Sequence, residues 1–233
     1  MTMISKTRFG KKTLVRIVAA VLAVSGAGLA RAQEPFTNSD YAVSDYAVAA
    51  RSDLQRVVAP VALYPDALLA QVLVASTFPR DVDAAAQFRR AGGDPLDADA
   101  RDWDDSVKGL LHEPDALYLL ADNDDWMNQL GAAFLDQPAD VMSAVQSVRA
   151  RAYSTGYLQS NQWQSVVADQ DVVQIIPANP QVIYVPVYEP EVILGQRRGF
   201  AAVSAIRFGA GIEVGAWLEH DCDWHDHAVY VGN

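Results

Sequence analysis

The chain has 233 residues, 51% of them hydrophobic, with 29 Asp and Glu against 18 Lys and Arg. Its formal net charge of −11 lacks the basic footprint that nucleic-acid binding or electrostatic docking on anionic lipid requires. The hydrophobic content argues for a folded body, and a single cysteine, Cys222, excludes an intramolecular disulfide, so stability must come from packing.

The first 32 residues read as a signal peptide. Lys6, Arg8, Lys11, Lys12 and Arg16 form a basic front, Ile17–Leu29 is an uncharged apolar run of 13 residues, and Ala30-Arg31-Ala32 ends it with small side chains. A bilayer span needs about 20 apolar residues. Cleavage between Ala32 and Gln33 is the expectation, and with it export to the periplasm or cell envelope. Loss of the six basic residues of this leader leaves 12 Lys and Arg against 29 Asp and Glu, a net charge of −17.

Residues 33–50 read as a linker, with Ser39–Val43 repeated at once as Ser44–Val48. A helical domain is expected over 51–156. Pro65-Asp66 opens one helix with an acid in its first turn, continued by Leu68, Leu69, Val72 and Leu73. Pro79 restarts the chain into Asp81–Arg90, which Gly92-Gly93 ends, and 91–102 is a polar loop. Asp104–Leu111, a helix from Pro114, Asn123–Asp136 and Pro138–Tyr153 follow, closed near Gly156. Val141, Ala144, Val145, Val148 and Ala152 make one apolar stripe on the last of them. Tyr64-Pro-Asp-Ala-Leu68 returns as Glu113-Pro-Asp-Ala-Leu117, and Ala85–Phe88 is echoed by Gly131–Phe134. A duplicated helical hairpin, or repeated use of Pro-Asp as a helix start, would each produce this.

The period then changes. Gln164–Ala168, Val172–Ile176 and Val182–Tyr188 are runs rich in Val, Ile and Tyr, separated by turn residues, and predict a small antiparallel β region over 157–195. Glu189–Gly199 reads as a loop carrying the basic pair Arg197-Arg198. The last part, 196–233, holds a Gly-rich apolar stretch, Ala201–Leu218, and a His/Asp-rich terminus. Arg207 and Glu213 interrupt the stretch, which is short for a membrane span. Its glycines would let a helix approach a membrane partner closely; the preferred reading is a glycine-weakened buried strand or hairpin. The fold class is therefore α+β, with a multi-helix domain followed by a small antiparallel β region and a Gly-rich C-terminal segment.

Four blocks carry a family resemblance: Leu63–Thr77, Asp125–Gly131, Pro177–Tyr188, and Phe208–Gly211 running into Cys222-Asp-Trp224. Together they resemble the bacterial domain of unknown function 3300 family, over roughly 55–231. The resemblance implies an exported or envelope-associated protein and assigns no reaction, so no catalytic residue carries over. The family's glycine-rich stretch further implies membrane association through Ala201–Leu218.

Candidate chemistry concentrates in His220-Asp-Cys-Asp-Trp-His-Asp-His227. His220, Cys222, Asp223, His225 and His227 offer donors suited to a divalent metal such as Zn²⁺, Cu²⁺ or Ni²⁺, although the spacing matches no established zinc pattern. Cys222 alone offers a disulfide to a second chain. The clusters Asp94/Asp97/Asp99, Asp102/Asp104/Asp105 and Asp122/Asp124/Asp125 suggest acid–base work on a cell-wall glycan or, more simply, helix capping. Trp103, Trp126, Tyr64, Tyr118 and Phe134 would line a glycan groove or anchor the core. No hydrolase elbow, phosphate loop or dinucleotide fingerprint occurs. The leading expectation is a non-enzymatic envelope module without a cofactor, whose partner is an envelope protein or cell-wall component. A periplasmic metal-binding protein and a glycan hydrolase are the alternatives.

Overall fold

Proline sets most of the helix starts. The structure, a computed structural model, describes residues 51–195 and 206–231; the expected signal peptide with its cleavage point at Ala32 and Gln33, the linker, and residues 196–205 lie outside them. Helix α1 covers 51–58, followed by a turn segment to Tyr64 and then α2, Asp66–Ala75, with Pro65 as its N-cap. Helices α3 (Pro79–Arg90), α5 (Pro114–Ala121) and α7 (Pro138–Ser154) each carry proline in the first turn, where its missing N–H costs nothing. The residues before these prolines, Phe78, Glu113 and Gln137, hold ψ between 60° and 79°, outside the helical region, as a following proline demands. Helices α4 (Asp105–Leu110) and α6 (Asp124–Asp136) start at acids instead.

Two successive helix pairs stand out. The pairs α2–α3 and α5–α6 begin at the two Pro-Asp-Ala-Leu segments, and they pack reciprocally, α2 on α6 and α3 on α5. Gly131 permits this close crossing, because a Cβ there would strike the carbonyl of Ser76. The two starts serve different ends: Asp66 is buried and Asp115 is exposed. The stretch expected as a plain loop over 91–102 contains a 3₁₀ turn, Pro95–Ala100, which Asp94 caps by accepting from the Leu96 amide at 3.0 Å.

The protein is α+β, with its strands in antiparallel pairs. Strand β1 (Gln164–Asp169) pairs with β2 (Val172–Pro177). Strands β3 (Val182–Ile183) and β4 (Pro186–Tyr188) pair with β6 (Ile212–Glu213) and β5 (Ile206–Phe208), as one nested hairpin interrupted midway. Between the two pairings two residues, Tyr184 and Val185, face three, Gly209–Gly211, so the register shifts by one and the run expected as one strand over Val182–Tyr188 divides. A one-turn helix, α8 (Pro190–Ile193), sits in the expected loop. Strand β7 (His220–Asp223) pairs with β8 (Ala228–Val231). In the described part of the Gly-rich stretch the strands are half-buried or exposed rather than buried. No helix among the described residues is long and apolar enough to cross a membrane.

A buried turn organises the core. Residues 58–66 are buried save for Pro60, so their backbone groups need internal partners. Arg149, fully buried on α7, supplies them: Nε donates to Ala62 O at 2.7 Å and Nη2 to Tyr64 O at 2.8 Å. The Tyr188 hydroxyl donates to Ala59 O at 2.7 Å and accepts from the Leu63 amide at 3.1 Å, while Trp126 Nε1 donates to Val57 O at 2.8 Å. The Arg149 charge is answered by Asp66 at 2.5 Å.

Removing one member of this pair strands a buried charge, which costs about 3–5 kcal/mol. We expect Arg149→Met to lower the urea-unfolding free energy by that amount. The Asp66→Leu/Arg149→Met double variant should lose less than the sum of the two single losses. Additive losses would show the two residues act independently.

Candidate functional site

Asp66 of this pair lines an open cleft of about 940 Å³, bounded by β2 on one side and β7–β8 on the other. Asp66 Oδ1 accepts from Arg149 Nη1 at 2.5 Å and from the Ile175 amide at 3.2 Å, and Oδ2 accepts from Trp224 Nε1 at 3.0 Å. Arg149 also donates to Val173 O at 2.9 Å, and its guanidinium lies 4.7 Å from the centre of the Trp224 ring. Helices α2 and α7, strand β2 and the turn after β7 therefore meet at one carboxylate.

The alternation of strand β7 divides the expected metal ligands. His220 and Cys222 point inward and are buried, whereas Asp221 is exposed. The chain turns after Asp223, whose carboxylate accepts from the amides of His225 at 2.9 Å and Asp226 at 3.0 Å. His225 and His227 are exposed. Among the described residues no three His, Cys, Asp or Glu side chains come together as a metal site. The Cys222 thiol donates to Asp66 O at 3.4 Å and is pushed well above its ordinary acidity range, by burial first and then by Asp66. Such a thiol is poorly reactive and is not presented to another chain.

His220 separates two spaces. It is 4% exposed, lines both the main cleft and a second recess of about 450 Å³, and its Nδ1 has no hydrogen-bond partner. Burial lowers its pKa, against the opposing pull of Asp104, Glu219 and Asp105, so the ring is biased toward the neutral form. In the second recess His112 stacks on Trp217 with ring centres 5.2 Å apart. Gly109 leaves room for this packing, since a Cβ there would meet the Gln71 side chain and the Trp217 carbonyl.

The acidic clusters act chiefly as caps and surface pairs. Asp104 caps α4 by accepting from the Ser106 amide at 2.9 Å, and Asp81 accepts from the Asp104 amide at 3.0 Å. Asp105 pairs with Lys108 and Asp122 with Arg90. The five aromatics expected in a groove or in the core are core anchors: Tyr64 is buried, and Trp103, Trp126, Tyr118 and Phe134 pack against the core from its edge.

Two features escaped the sequence reading. Arg149 lies on the apolar stripe of α7, four residues after Val145, and a charge in that register was the available signal. Glu113 is the other: it is 2% exposed and its pKa is raised to about 7, by burial first and then by the Asp115 carboxylate. It faces Tyr64, whose phenol is pushed above its ordinary value by burial and then by Glu113 and Asp115. The residues preceding proline in the two echoed segments are thus neighbours.

Comparison with known families matches residues 50–232 to the one described as "Protein of unknown function (DUF3300)". The chain belongs to that family. It is 37% identical, over 182 residues, to the uncharacterised protein YacH of Escherichia coli (strain K12), a match covering 62% of this chain and 30% of that relative. The chain thus spans less than a third of the length of the curated relative it matches. No solved structure matches it. The family's blocks map onto the cleft: Leu63–Thr77 supplies the buried turn and Asp66, and Cys222-Asp-Trp224 the opposite wall.

Two outcomes follow from these environments. Cys222 should resist iodoacetamide in the folded protein and label fully in urea; rapid labelling without urea would contradict its burial. Glu113 binds its proton more tightly in the folded than in the unfolded state. Its contribution to stability is full below pH 4.5, the unfolded value, and is lost as the pH rises through about 7. The loss amounts to about 3 kcal/mol. Urea titrations from pH 4 to 8 should therefore show a wild-type decline that Glu113→Gln lacks.

Proposed function

We propose that this chain is an exported protein of the cell envelope that acts as a binding module, engaging another envelope protein or a cell-wall component through the cleft between β2 and β7. The observation that carries the reading is the cleft itself, open and about 940 Å³ in volume, over a floor whose polar groups are engaged in the fold. Asp66 receives three donors, and the Cys222 thiol is spent on the Asp66 carbonyl. What the cleft offers a partner is shape and charge. A volume in the range of ordinary ligand sites, on a scaffold fixed by a buried ion pair, suits recognition. The basic front, apolar run and Ala-x-Ala ending of residues 1–32 support export.

Two experiments test this. Cells producing the full chain should yield a mature protein beginning at Gln33; an N-terminus at Met1 in the cytosol would reject export. A photo-crosslinking amino acid at Ile176, 45% exposed in the cleft, should give a discrete adduct in living cells. The same group at Leu135, 69% exposed on α6, should give none. Equal labelling from both sites, or none from either, would remove the cleft as the binding surface.

A further inference from the structure

Glu113 is a buried carboxyl at a joint between two helices. It is 2% exposed, and its Oε2 has no hydrogen-bond partner. Its backbone ties the helices together. The Glu113 amide donates to Leu110 O at 3.0 Å, at the end of α4, and its carbonyl accepts from the Leu117 amide at 3.1 Å, in the first turn of α5. An excursion of Glu113 toward water therefore disturbs the start of α5. A buried carboxyl with an unfilled oxygen is tolerated far better neutral than ionised.

The charges around it do not answer an ionised Glu113. Asp115, two residues on, repels it, and Tyr64 on the buried turn faces it. The amides of Asp115 and Ala116 favour the ion but only partly offset burial and Asp115. Helices α3, α4 and α6 pack against α5. The cations of α3 and α4 are directed elsewhere: Arg89 donates to the Leu111 and Gly93 carbonyls, Arg90 pairs with Asp122, Lys108 pairs with Asp105, and Arg80 is exposed. Of the acids on α3, Asp81 accepts from the Asp104 amide and Asp83 faces Asp124. The charged residues of α6 are Asp124, Asp125 and Asp136, all exposed. Beyond Tyr64, the Arg149 guanidinium holds the Tyr64 carbonyl and is already paired with Asp66.

We propose that Glu113 is a proton-controlled catch on α5. Protonated, it stays inside and holds the first turn of α5 against the buried turn at Tyr64. Ionised, it leaves for water, and that helical turn opens locally while the rest of the body stays folded. The closed form binds the proton up to about pH 7, and the open form up to the ordinary 4.5. The open population therefore rises about tenfold per pH unit between these values, about 300-fold in all, and then levels.

The test is native-state hydrogen exchange of the full chain from pH 5 to 8, with rates corrected for the pH dependence of an unstructured peptide. Protection of the Leu117 amide should fall about tenfold per pH unit and level near pH 7. Dilute urea should leave the Leu117 rate unchanged while accelerating the Val145 amide, which lies within α7 and reports global unfolding. Glu113→Gln should make Leu117 protection independent of pH. Asp115→Asn should move the levelling point to lower pH, because it removes the repulsion that favours the proton. Thermal midpoints at pH 5 confirm that each variant is folded. An unchanged pH course in Glu113→Gln would overturn the proposal. So would a Leu117 rate that urea accelerates as steeply as that of Val145, since the proton would then act on global stability alone.

Discussion

The ion pair between Asp66 and Arg149 is the constraint on which the rest of the molecule depends. A guanidinium and a carboxylate removed from water incur a desolvation cost of several kcal/mol each, which their attraction offsets only when the remaining donors and acceptors are filled. Here they are nearly filled: Arg149 donates to three carbonyls besides Asp66, and Asp66 accepts from a backbone amide and an indole. The carbonyls of Ala62 and Tyr64 belong to a turn that would otherwise bury its polar backbone without partners. Arg149 therefore works as much for the turn as for Asp66, and each would be costly without the other.

The same pair sets where the β elements can go. A two-stranded ribbon is marginal alone in water. Strand β2 is held at Val173 by Arg149 and at Ile175 by Asp66, and β7 is held through Cys222 and the following Trp224. With both ribbons anchored to one charge pair on the helical body, a gap is left between them, and that gap is the cleft. Its position follows from stability requirements, while the side chains of its outer surface, Gln174, Ile176 and Tyr230, are free of them.

The helical part was legible in the sequence because its signals are local. Pro65, Pro79, Pro114 and Pro138 stand at helix starts and Gly92 and Gly156 just beyond helix ends, so element limits could be read within a residue or two. The β region was legible in kind but less so in arrangement, since the pairing of Val182–Tyr188 with Ile206–Glu213 depends on contacts distant in sequence. The candidate site was the least legible. The helix-start reading of Asp66 was sound, but nothing near it in sequence announces Arg149, 83 residues away. The density of His, Asp and Cys after Glu219 suggested a ligand set, whereas strand alternation sends His220 and Cys222 inward and the turn after Asp223 carries the later histidines outward.

The position of Trp224 has a consequence for biogenesis. A chain emerging N-terminus first exposes α2 and α7 long before the indole that completes the shell of Asp66. Until residue 224 arrives the helical body holds its carboxylate one donor short, and the Arg149 guanidinium has no ring against its face. The β7–β8 hairpin thus acts as a latch: the helical body reaches full stability only once that hairpin has docked, and a chain lacking it would remain open to proteolytic clearance.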